Sequence, residues 1–276
     1  FAGLKKINLK WFKDDAMYVR EVYCYDLFER FGVWTTPQSS YCRLFLQVGT
    51  TRVAYYGVYQ LVEAVDDEFI KNRAKKFGSQ EGFLWKASWG ANFRTADKSR
   101  MDVERVTLSE TYVPVYDLKN RPAELNAARD QLAEFITNYN SKKGEAFREW
   151  VVTRMDVPLF LKTYAVNVLC GMWDDYWNNQ NNFYFYFDAA GKFYFIPFDY
   201  DNTLGTSQIM SDAGRQDLLE WGDSRNPLVV KLLEIPEFRK LYTDYLYELC
   251  DSGNDLFAYG RSRIRILQWH AMISDH

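Results

Sequence analysis

Apolar residues alternate with polar ones in much of the first part of the chain and recur at helical spacing in the second. Alternation predicts strands, and apolar residues three and four positions apart predict helices. The predicted strands are 4–9, 40–48, 53–62, 83–86 and 112–118, with helices at 17–32 and 66–77. After residue 120, helices are predicted at 122–139, 145–155, 157–172, 226–234, 237–250 and 255–272. The predicted class is α+β, with a sheet-rich part over residues 1–120 and a helix-rich part over residues 121–276.

A β-hairpin is predicted within the stretch Trp173–Gly205. Aromatic, β-prone runs at Asn182–Phe187 and Lys192–Phe198 flank Asp188-Ala-Ala-Gly191, whose residues favour a turn. Acids and amides precede the first run and an acid pair follows the second: Asp174, Asp175, Asn178, Asn179, Asn181 and Asn182, then Asp199 and Asp201. The hairpin therefore returns the second acid pair to the neighbourhood of the first group.

These polar residues suit a hard cation. Mg²⁺ and Ca²⁺ bind carboxylate and amide oxygens, and Mg²⁺ usually keeps one or two protein carboxylates while water and substrate phosphates complete its shell. A kinase needs an acid that orients the acceptor hydroxyl, an Asn a few residues later for metal, and an Asp after a strand for metal. Asp174, an Asn from 178–182 and Asp199 occur in that order. The alternative is that Asp and Asn collect here because they favour turns.

Other acid-based sites fit less well. The segment from Asp199 to Leu204 resembles the D-x-D-x-T-L motif of haloacid-dehalogenase-type phosphotransferases. That motif opens a parallel α/β domain, whereas helical patterns follow it here. An EF-hand loop is excluded because Thr203 and Leu204 occupy its fifth and sixth positions. A glycosidase with two facing carboxylates is a weaker alternative.

Composition excludes several classes of function. The net charge is −3 and no basic stripe is interleaved with aromatic residues, so nucleic acid is not expected as a partner. The only two histidines, His270 and His276, lie near the C-terminus, which argues against a Ser-His-Asp or Cys-His centre. The longest apolar stretch, Pro158–Trp173, is too short for a transmembrane segment.

Aromatic residues make up 18% of the chain. A bulky core is the first interpretation, and carbohydrate-stacking platforms such as an exposed Trp177 or Trp221 are the second. The second supports an alternative function, a non-catalytic, surface-exposed carbohydrate- or protein-binding module. The four cysteines lack C-x-x-C spacing, which argues against structural zinc, and Cys24 and Cys170 fit buried free thiols.

Two pairs of charged residues lie in predicted elements of the first part. Arg20 and Glu21, in the first predicted helix, are interpreted as a solvated pair. Glu63 ends a predicted strand and Lys86 lies on another, so they are candidates for the ion pair that holds nucleotide phosphates in kinases. On spacing alone, an incidental surface pair fits equally well.

Five segments resemble, in order, the patterns of the spore-coat-protein-H (CotH) kinase family. They are LKKINLK with VREVYCYDLFERFGV in residues 4–33, GVYQLVE within 40–66, GFLWK at 82–86, YDLK at 116–119, and the stretch 173–205. The resemblance covers about residues 3–206. No single segment is decisive, but five in the family's order are hard to obtain by chance.

The resemblance implies an atypical, secretory-type protein kinase with a distant protein-kinase-like fold. Such a kinase uses ATP and Mg²⁺, with Mn²⁺ or Ca²⁺ as further candidate metals, to phosphorylate Ser of a protein acceptor. A secreted or cell-surface location is implied as well. Glu63 and Lys86 match family positions and are candidates for nucleotide binding.

The same resemblance assigns roles around the hairpin. Asp174 corresponds to the catalytic acid and Asp199 to a metal-binding acid. Asn181 or Asn182 is the implied amide ligand, and Asp201 is a further metal candidate.

The chain departs from the family's pattern in three ways. The pattern continues upstream of residue 1 with a strand that carries a candidate phosphate-binding Lys, so the first part is expected to be truncated. Phe198 stands where Trp is usual. The doubled Asp174-Asp175 leaves the position of the catalytic acid open by one residue.

Overall fold

The computed structural model describes residues 5–206 and 212–274. Its strands are β1 (Ile7–Lys10), β2 (Ser39–Leu46), β3 (Ala54–Glu63), β4 (Phe83–Ala87), β5 (Met101–Asp102), β6 (Arg105–Val106), β7 (Thr111–Tyr112), β8 (Tyr116–Leu118), β9 (Phe183–Phe187) and β10 (Phe193–Pro197). Its helices are α1 (Arg20–Arg30), α2 (Asp67–Asn72), α3 (Ala74–Phe77), α4 (Leu125–Ser141), α5 (Gly144–Arg154), α6 (Val157–Leu169), α7 (Pro227–Leu233), α8 (Pro236–Cys250) and α9 (Tyr259–Ile273). The mixture of sheets and helices agrees with the predicted α+β class.

Two sheets position the residues of interest. In the three-stranded sheet β3 lies between β1 and β2, and both pairings are antiparallel. The five-stranded sheet has the order β10-β9-β4-β8-β5, so it takes strands from both sides of residue 120. The predicted division at that residue and the kinase-like arrangement of two lobes stay predictions.

β9 and β10 form the predicted hairpin, with Phe187 opposite Phe193 beside the turn. Asp188 Oδ1 accepts hydrogen bonds from the backbone N–H groups of Ala190 and Lys192, each 2.9 Å long. At the other end, the last residue of β10 lies opposite the first residue of β9. The chain after β10 therefore returns to the segment that precedes β9.

α6 is buried on nearly all sides, as its mostly apolar sequence predicts. It packs against α1, α8 and β10 and ends at Leu169. The segment that carries Asp174 therefore starts from the centre of the molecule. Among the described helices, none combines the length and the apolarity needed to cross a membrane.

Aromatic side chains fill the core around the hairpin. Phe183 stacks on Phe195 with a centroid distance of 5.0 Å, and Phe193 stacks on Phe135 of α4 at 4.9 Å. The core interpretation of the aromatic content is confirmed for these residues. The two candidate carbohydrate platforms, Trp177 and Trp221, are 1% and 4% exposed, so the prediction that they are exposed is wrong. Their rings are needed for packing, and no face is free for a sugar.

α1 begins later than its periodicity predicts. The carboxylate of Asp15 accepts hydrogen bonds of 2.8 Å from the backbone N–H groups of Val19 and Arg20. These contacts satisfy two donors that a helix start leaves without intrahelical partners. Asp15 thus holds the start of α1, where Val19 is the N-cap residue.

The predicted free thiols are confirmed, since Cys24 and Cys170 are both buried and unbridged. Cys24 Sγ donates to Thr203 Oγ1 over 3.5 Å, which places it beneath the loop after β10. His270 Nε2 lies 2.7 Å from the backbone carbonyl oxygen of Met17, so it holds α9 against the segment before α1. His276 lies outside the described residues.

Candidate functional site

Three amide side chains hold the carboxylate of Asp174. Asn179 Nδ2 donates to Asp174 Oδ1 over 2.6 Å, and Asn182 Nδ2 donates to Oδ2 over 3.0 Å. Asn182 Nδ2 also lies 3.0 Å from the backbone carbonyl oxygen of Asp174, and Asn202 Nδ2 lies 3.4 Å from Oδ2. Because Asp174 is only partly buried, these contacts fix the direction of a carboxylate that solvent still reaches.

The neighbouring Asp175 is 2% exposed and belongs to the scaffold. Its Oδ1 accepts from the backbone N–H of Asn178 over 2.9 Å, and its Oδ2 accepts from Asn167 Nδ2 over 2.6 Å. Burial raises the pKa of Asp175 to about 7, although these hydrogen bonds oppose the shift. Of the two adjacent acids, Asp174 is therefore the one available to a reactant.

The raised pKa of Asp175 predicts a pH-dependent stability. An Asp in the unfolded chain titrates near pH 3.9, so between that pH and about 7 the folded state holds one proton more. The free energy of unfolding therefore falls as the pH rises through this window, by roughly 4 kcal/mol for this group. Urea unfolding from pH 5 to pH 8 covers about 3 kcal/mol of this decline, which we expect to be shallower in Asp175→Asn. An equally steep decline in that variant would contradict the assignment.

The loop after β10 brings the second acid pair to Asp174. The backbone N–H of Asp199 donates to the Tyr25 hydroxyl over 3.1 Å. Asn202 Nδ2 lies 3.1 Å from Asp201 Oδ1 and 3.4 Å from Asp174 Oδ2, so one amide links the acids on the two sides of the hairpin. Burial and the Asp199 carboxylate raise the pKa of Asp201. The juxtaposition that the hairpin predicts is present in the fold.

Backbone strain occurs in the same two segments. Gln180 and Asn182 have φ of 60° and 55° before β9, and Asp199 and Leu204 have φ of 65° and 52° after β10. A side chain with a Cβ atom costs about 1–2 kcal/mol in this left-handed region. Residues held in such conformations by their surroundings cluster at functional sites.

A lysine of β1 joins the acids. Lys10 Nζ contacts Asp199 Oδ1, and lies 2.7 Å from Glu21 Oε2 and 3.9 Å from Asp201 Oδ2. Burial acts to lower the pKa of Lys10, but the three carboxylates outweigh it and raise the pKa above its ordinary value. Burial raises the pKa of Glu21 to about 7 against the opposing effect of Lys10. One cation thus connects β1, α1 and the loop after β10.

The interpretation of Arg20 and Glu21 as a solvated pair is wrong. Glu21 is 3% exposed, and besides Lys10 it binds the backbone N–H of Tyr200, which donates to Oε1 over 3.0 Å. The sequence contained a signal for this, because Glu21 lies on the apolar stripe of α1, two turns before Phe28. A carboxylate on such a stripe needs a buried partner.

Lys10 and Asn202 were not predicted as site residues. Lys10 lies on the half-buried face of β1, whereas the apolar Ile7 and Leu9 are exposed. In a core strand the apolar residues would be the buried ones, so the alternation along β1 gave the wrong face. Asn202 follows Asp201 directly and could be found only through its bond to Asp174. Both contacts join residues far apart in the sequence, which local patterns do not encode.

The predicted ion pair between Glu63 and Lys86 does not form. Arg73 Nη1 and Nη2 donate to the two carboxylate oxygens of Glu63 over 2.9 and 2.7 Å. Glu63 Oε2 also accepts from the backbone N–H of Gln38 over 3.0 Å. Lys86 Nζ instead lies 5.8 Å from the ring centroid of Tyr184 and makes no ion pair with any residue in the described ranges. Spacing alone did not distinguish Arg73 from Lys86 as the partner.

The amide side chains of the segment before β9 offer oxygen ligands near Asp174. Asn181 Oδ1 is buried and has no hydrogen-bond donor among the described residues. Asn182 uses its Nδ2 to hold Asp174, and its Oδ1 accepts no hydrogen bond from the described residues. Across 5–206 and 212–274, no group of three His, Cys, Asp or Glu side chains is placed to hold a metal. Mg²⁺ needs only one or two protein carboxylates, so the donors present fit a magnesium ion that arrives with phosphates.

A family model matches this chain. The family described as CotH kinase protein matches residues 1–276, which is the whole chain and more than the resemblance over about residues 3–206 indicated. No curated protein gives a significant match. The protein belongs to the CotH kinase family.

Proposed function

We propose that this chain is a Mg²⁺- and ATP-dependent protein kinase that transfers the γ-phosphate to Ser of a protein acceptor. The observation that carries the proposal is the contact of Lys10 with both Glu21 and Asp199. Protein kinases require a Lys–Glu ion pair at the nucleotide phosphates and an Asp that binds metal. The contact supplies all three groups from separate elements, which supports a site assembled by the fold.

The residues around the hairpin take the remaining roles. Asp174, held by three amides, orients the acceptor hydroxyl and accepts its proton. Asp199 and Asp201 supply carboxylate oxygens for the metal, and Asn181 or Asn182 supplies an amide oxygen. A bound Mg²⁺ neutralises charge on the phosphates and keeps the nucleotide in one orientation.

Lys10 changes partner in this proposal. Its ammonium group is held by the carboxylates of Glu21, Asp199 and Asp201. Asp199 would hold the metal ion, which would supply positive charge to this carboxylate in place of Lys10. Lys10 is then free to bind a phosphate while Glu21 keeps it in position, because Glu21 is buried and fixed by the Tyr200 backbone.

Lys86 remains a candidate nucleotide ligand, and Glu63 does not. Lys86 lies across from Tyr184 in the five-stranded sheet, and the Tyr184 ring contacts the ring of Phe198, the residue before Asp199. Its ammonium group is therefore on the side of the sheet that faces the site. Glu63 is occupied by Arg73, so we assign it a structural role. A secreted or surface location is part of the proposal and rests on the family.

A thermal-shift titration tests nucleotide binding. A ligand at 100 times its Kd stabilises the folded state by about 2.7 kcal/mol, which corresponds to a rise in Tm of about 5 °C for a chain of this size. We expect this rise with ATP plus Mg²⁺, and its loss in Asp199→Asn, which removes a metal ligand. Asp244→Asn is the matched control, because Asp244 forms an exposed pair with Lys240.

Two outcomes would contradict the proposal. The first is an unchanged metal-dependent shift in Asp199→Asn. The second is no shift in the wild-type chain at millimolar ATP with Mg²⁺ or Mn²⁺, which would favour the binding-module alternative. Each variant is compared with its own Tm without ligand, so a general loss of stability does not affect the result.

A further inference from the structure

A cavity of about 900 Å³ lies between the loop that follows α1 and the pair of helices α2 and α3. It is separate from the hairpin site, since none of its lining residues belongs to that site. We call it the basic groove, after four cationic residues among those that line it: Lys71, Arg73, Lys75 and Lys76. Glu29 is the one carboxylate among its lining residues.

Arg73 builds the wall of the basic groove and is not free to bind a ligand. Besides the two bonds to Glu63, its Nε donates to the backbone oxygen of Trp34 over 3.0 Å and its Nη2 to that of Thr36 over 3.0 Å. The guanidinium is therefore satisfied, and its charge is cancelled by a 7% exposed carboxylate. These bonds fix the loop after α1 against α2 and α3, so the groove is preformed.

The positive charges of the three groove lysines are not fully neutralised by neighbouring carboxylates. Lys75 and Lys76 make no ion pair within the described part of the chain, and Lys76 Nζ lies 5.5 Å from the centroid of the Trp34 ring. Lys71 Nζ lies 3.4 Å from Glu68, a carboxylate that also binds Lys5 over 2.6 Å. All three groove lysines are exposed. In a chain with a net charge of −3, this is a local excess of positive charge.

The basic groove also contains a polar group without a partner. Thr36 lines the cavity and is 2% exposed, and its Oγ1 finds no hydrogen-bond partner among the described residues. Buried hydroxyl groups are normally hydrogen-bonded, so this one is an exception. A bound carboxylate would accept this hydrogen bond. It would also pair with the lysines.

We propose that the basic groove binds an acidic segment of a partner polypeptide. Three lysines presented by two short helices match carboxylates spaced along an extended chain, and the Trp34 ring offers apolar contact for the stems between them. The volume lies at the upper end for small-ligand pockets, which leaves room for several residues. Nucleic acid is disfavoured because the chain as a whole is acidic and would repel a long polyanion. The proposal does not depend on kinase activity.

Fluorescence anisotropy with a labelled octaglutamate peptide tests the proposal, with octaglutamine as the neutral control. We expect binding of octaglutamate that weakens as salt rises, since exposed charges are screened over about 8 Å at physiological ionic strength. K75E/K76E should weaken it by about tenfold or more. The matched control is K142E/K143E, which makes the same change in net charge at the turn between α4 and α5.

The controls make the test decisive. K75Q/K76Q, which removes charge without reversing it, should give an intermediate loss, and circular dichroism checks that each variant is folded. Equal binding by the wild-type chain and K75E/K76E would overturn the proposal, as would an equal loss in K142E/K143E. Stronger binding of a single-stranded DNA octamer than of octaglutamate would also overturn it, in favour of nucleic acid.

Discussion

Asp174→Asn will lower the rate of phosphoryl transfer by about 10²–10⁴-fold, which is the range that general acid–base catalysis contributes. The amide cannot accept a proton from the acceptor hydroxyl. It also places an NH₂ group where Asn179 or Asn182 now donates. The residue retains its size, so the loss of stability should stay near 1 kcal/mol. ADP release and phosphate incorporation, the latter by intact-mass spectrometry with a pool of Ser-containing peptides, measure the rate.

The nucleotide-dependent thermal shift separates this role from a structural one. We expect Asp174→Asn to keep the shift with ATP and Mg²⁺, because the two carboxylates proposed to hold the metal, Asp199 and Asp201, are intact. A variant that keeps its transfer rate would show that Asp174 is not the catalytic acid. The buried neighbour Asp175 would not then replace it, because both of its oxygens are used inside the fold.

Local patterns were sufficient to predict the hairpin and the meeting of its acids. The turn residues and the two aromatic runs define β9 and β10, and the antiparallel register then determines which ends meet. Because that register was implied by the turn, the approach of Asp201 to Asp174 followed from the sequence. The sequence did not indicate which of Asp174 and Asp175 is available to a reactant, since this depends on which carboxylate Asn167 of α6 binds.

The partners of charged residues were harder to predict. Glu63 and Lys86 both lie on strands, but these strands belong to different sheets. Glu63 pairs instead with Arg73, which lies between α2 and α3. Long side chains allow many partners at a given spacing, so the choice depends on packing between elements. Glu21 was wrongly interpreted as solvated, although its position on an apolar stripe indicates that it needs a buried partner.

The exposure of individual aromatic residues was also hard to predict. Their number predicts a large core, and the stacked Phe side chains between the hairpin and α4 are of that kind. It does not predict which ring is exposed. Trp177 follows the acidic segment and looks like a surface residue, yet it packs on Phe195 at 5.3 Å. Exposed rings occur instead at Trp11 and Trp89, which are 66% and 74% exposed.

Lys10→Met will abolish nucleotide binding and destabilise the chain in a pH-dependent way. Removal of Lys10 leaves Glu21 buried beside Asp199 and Asp201 without a cation. Breaking a buried ion pair costs about 3–5 kcal/mol, and we expect the lower end because Lys10 is 23% exposed. The pKa of Glu21 is already raised to about 7 by burial. A protonated Glu21 needs no cation, so the loss relative to the wild-type chain should be small at pH 5.5 and largest at pH 8.

The double variant K10M/E21Q separates stability from function. Gln at position 21 carries no charge, so it should restore most of the stability at pH 8 and remove the pH dependence of the loss. It cannot restore the thermal shift with ATP and Mg²⁺, because no cation remains on β1 to bind phosphate. Urea unfolding at the two pH values measures the first effect and the ATP titration the second. A double variant that regained the nucleotide-dependent shift would show that Lys10 only neutralises Glu21, and the phosphate-binding role would then have to pass to Lys86.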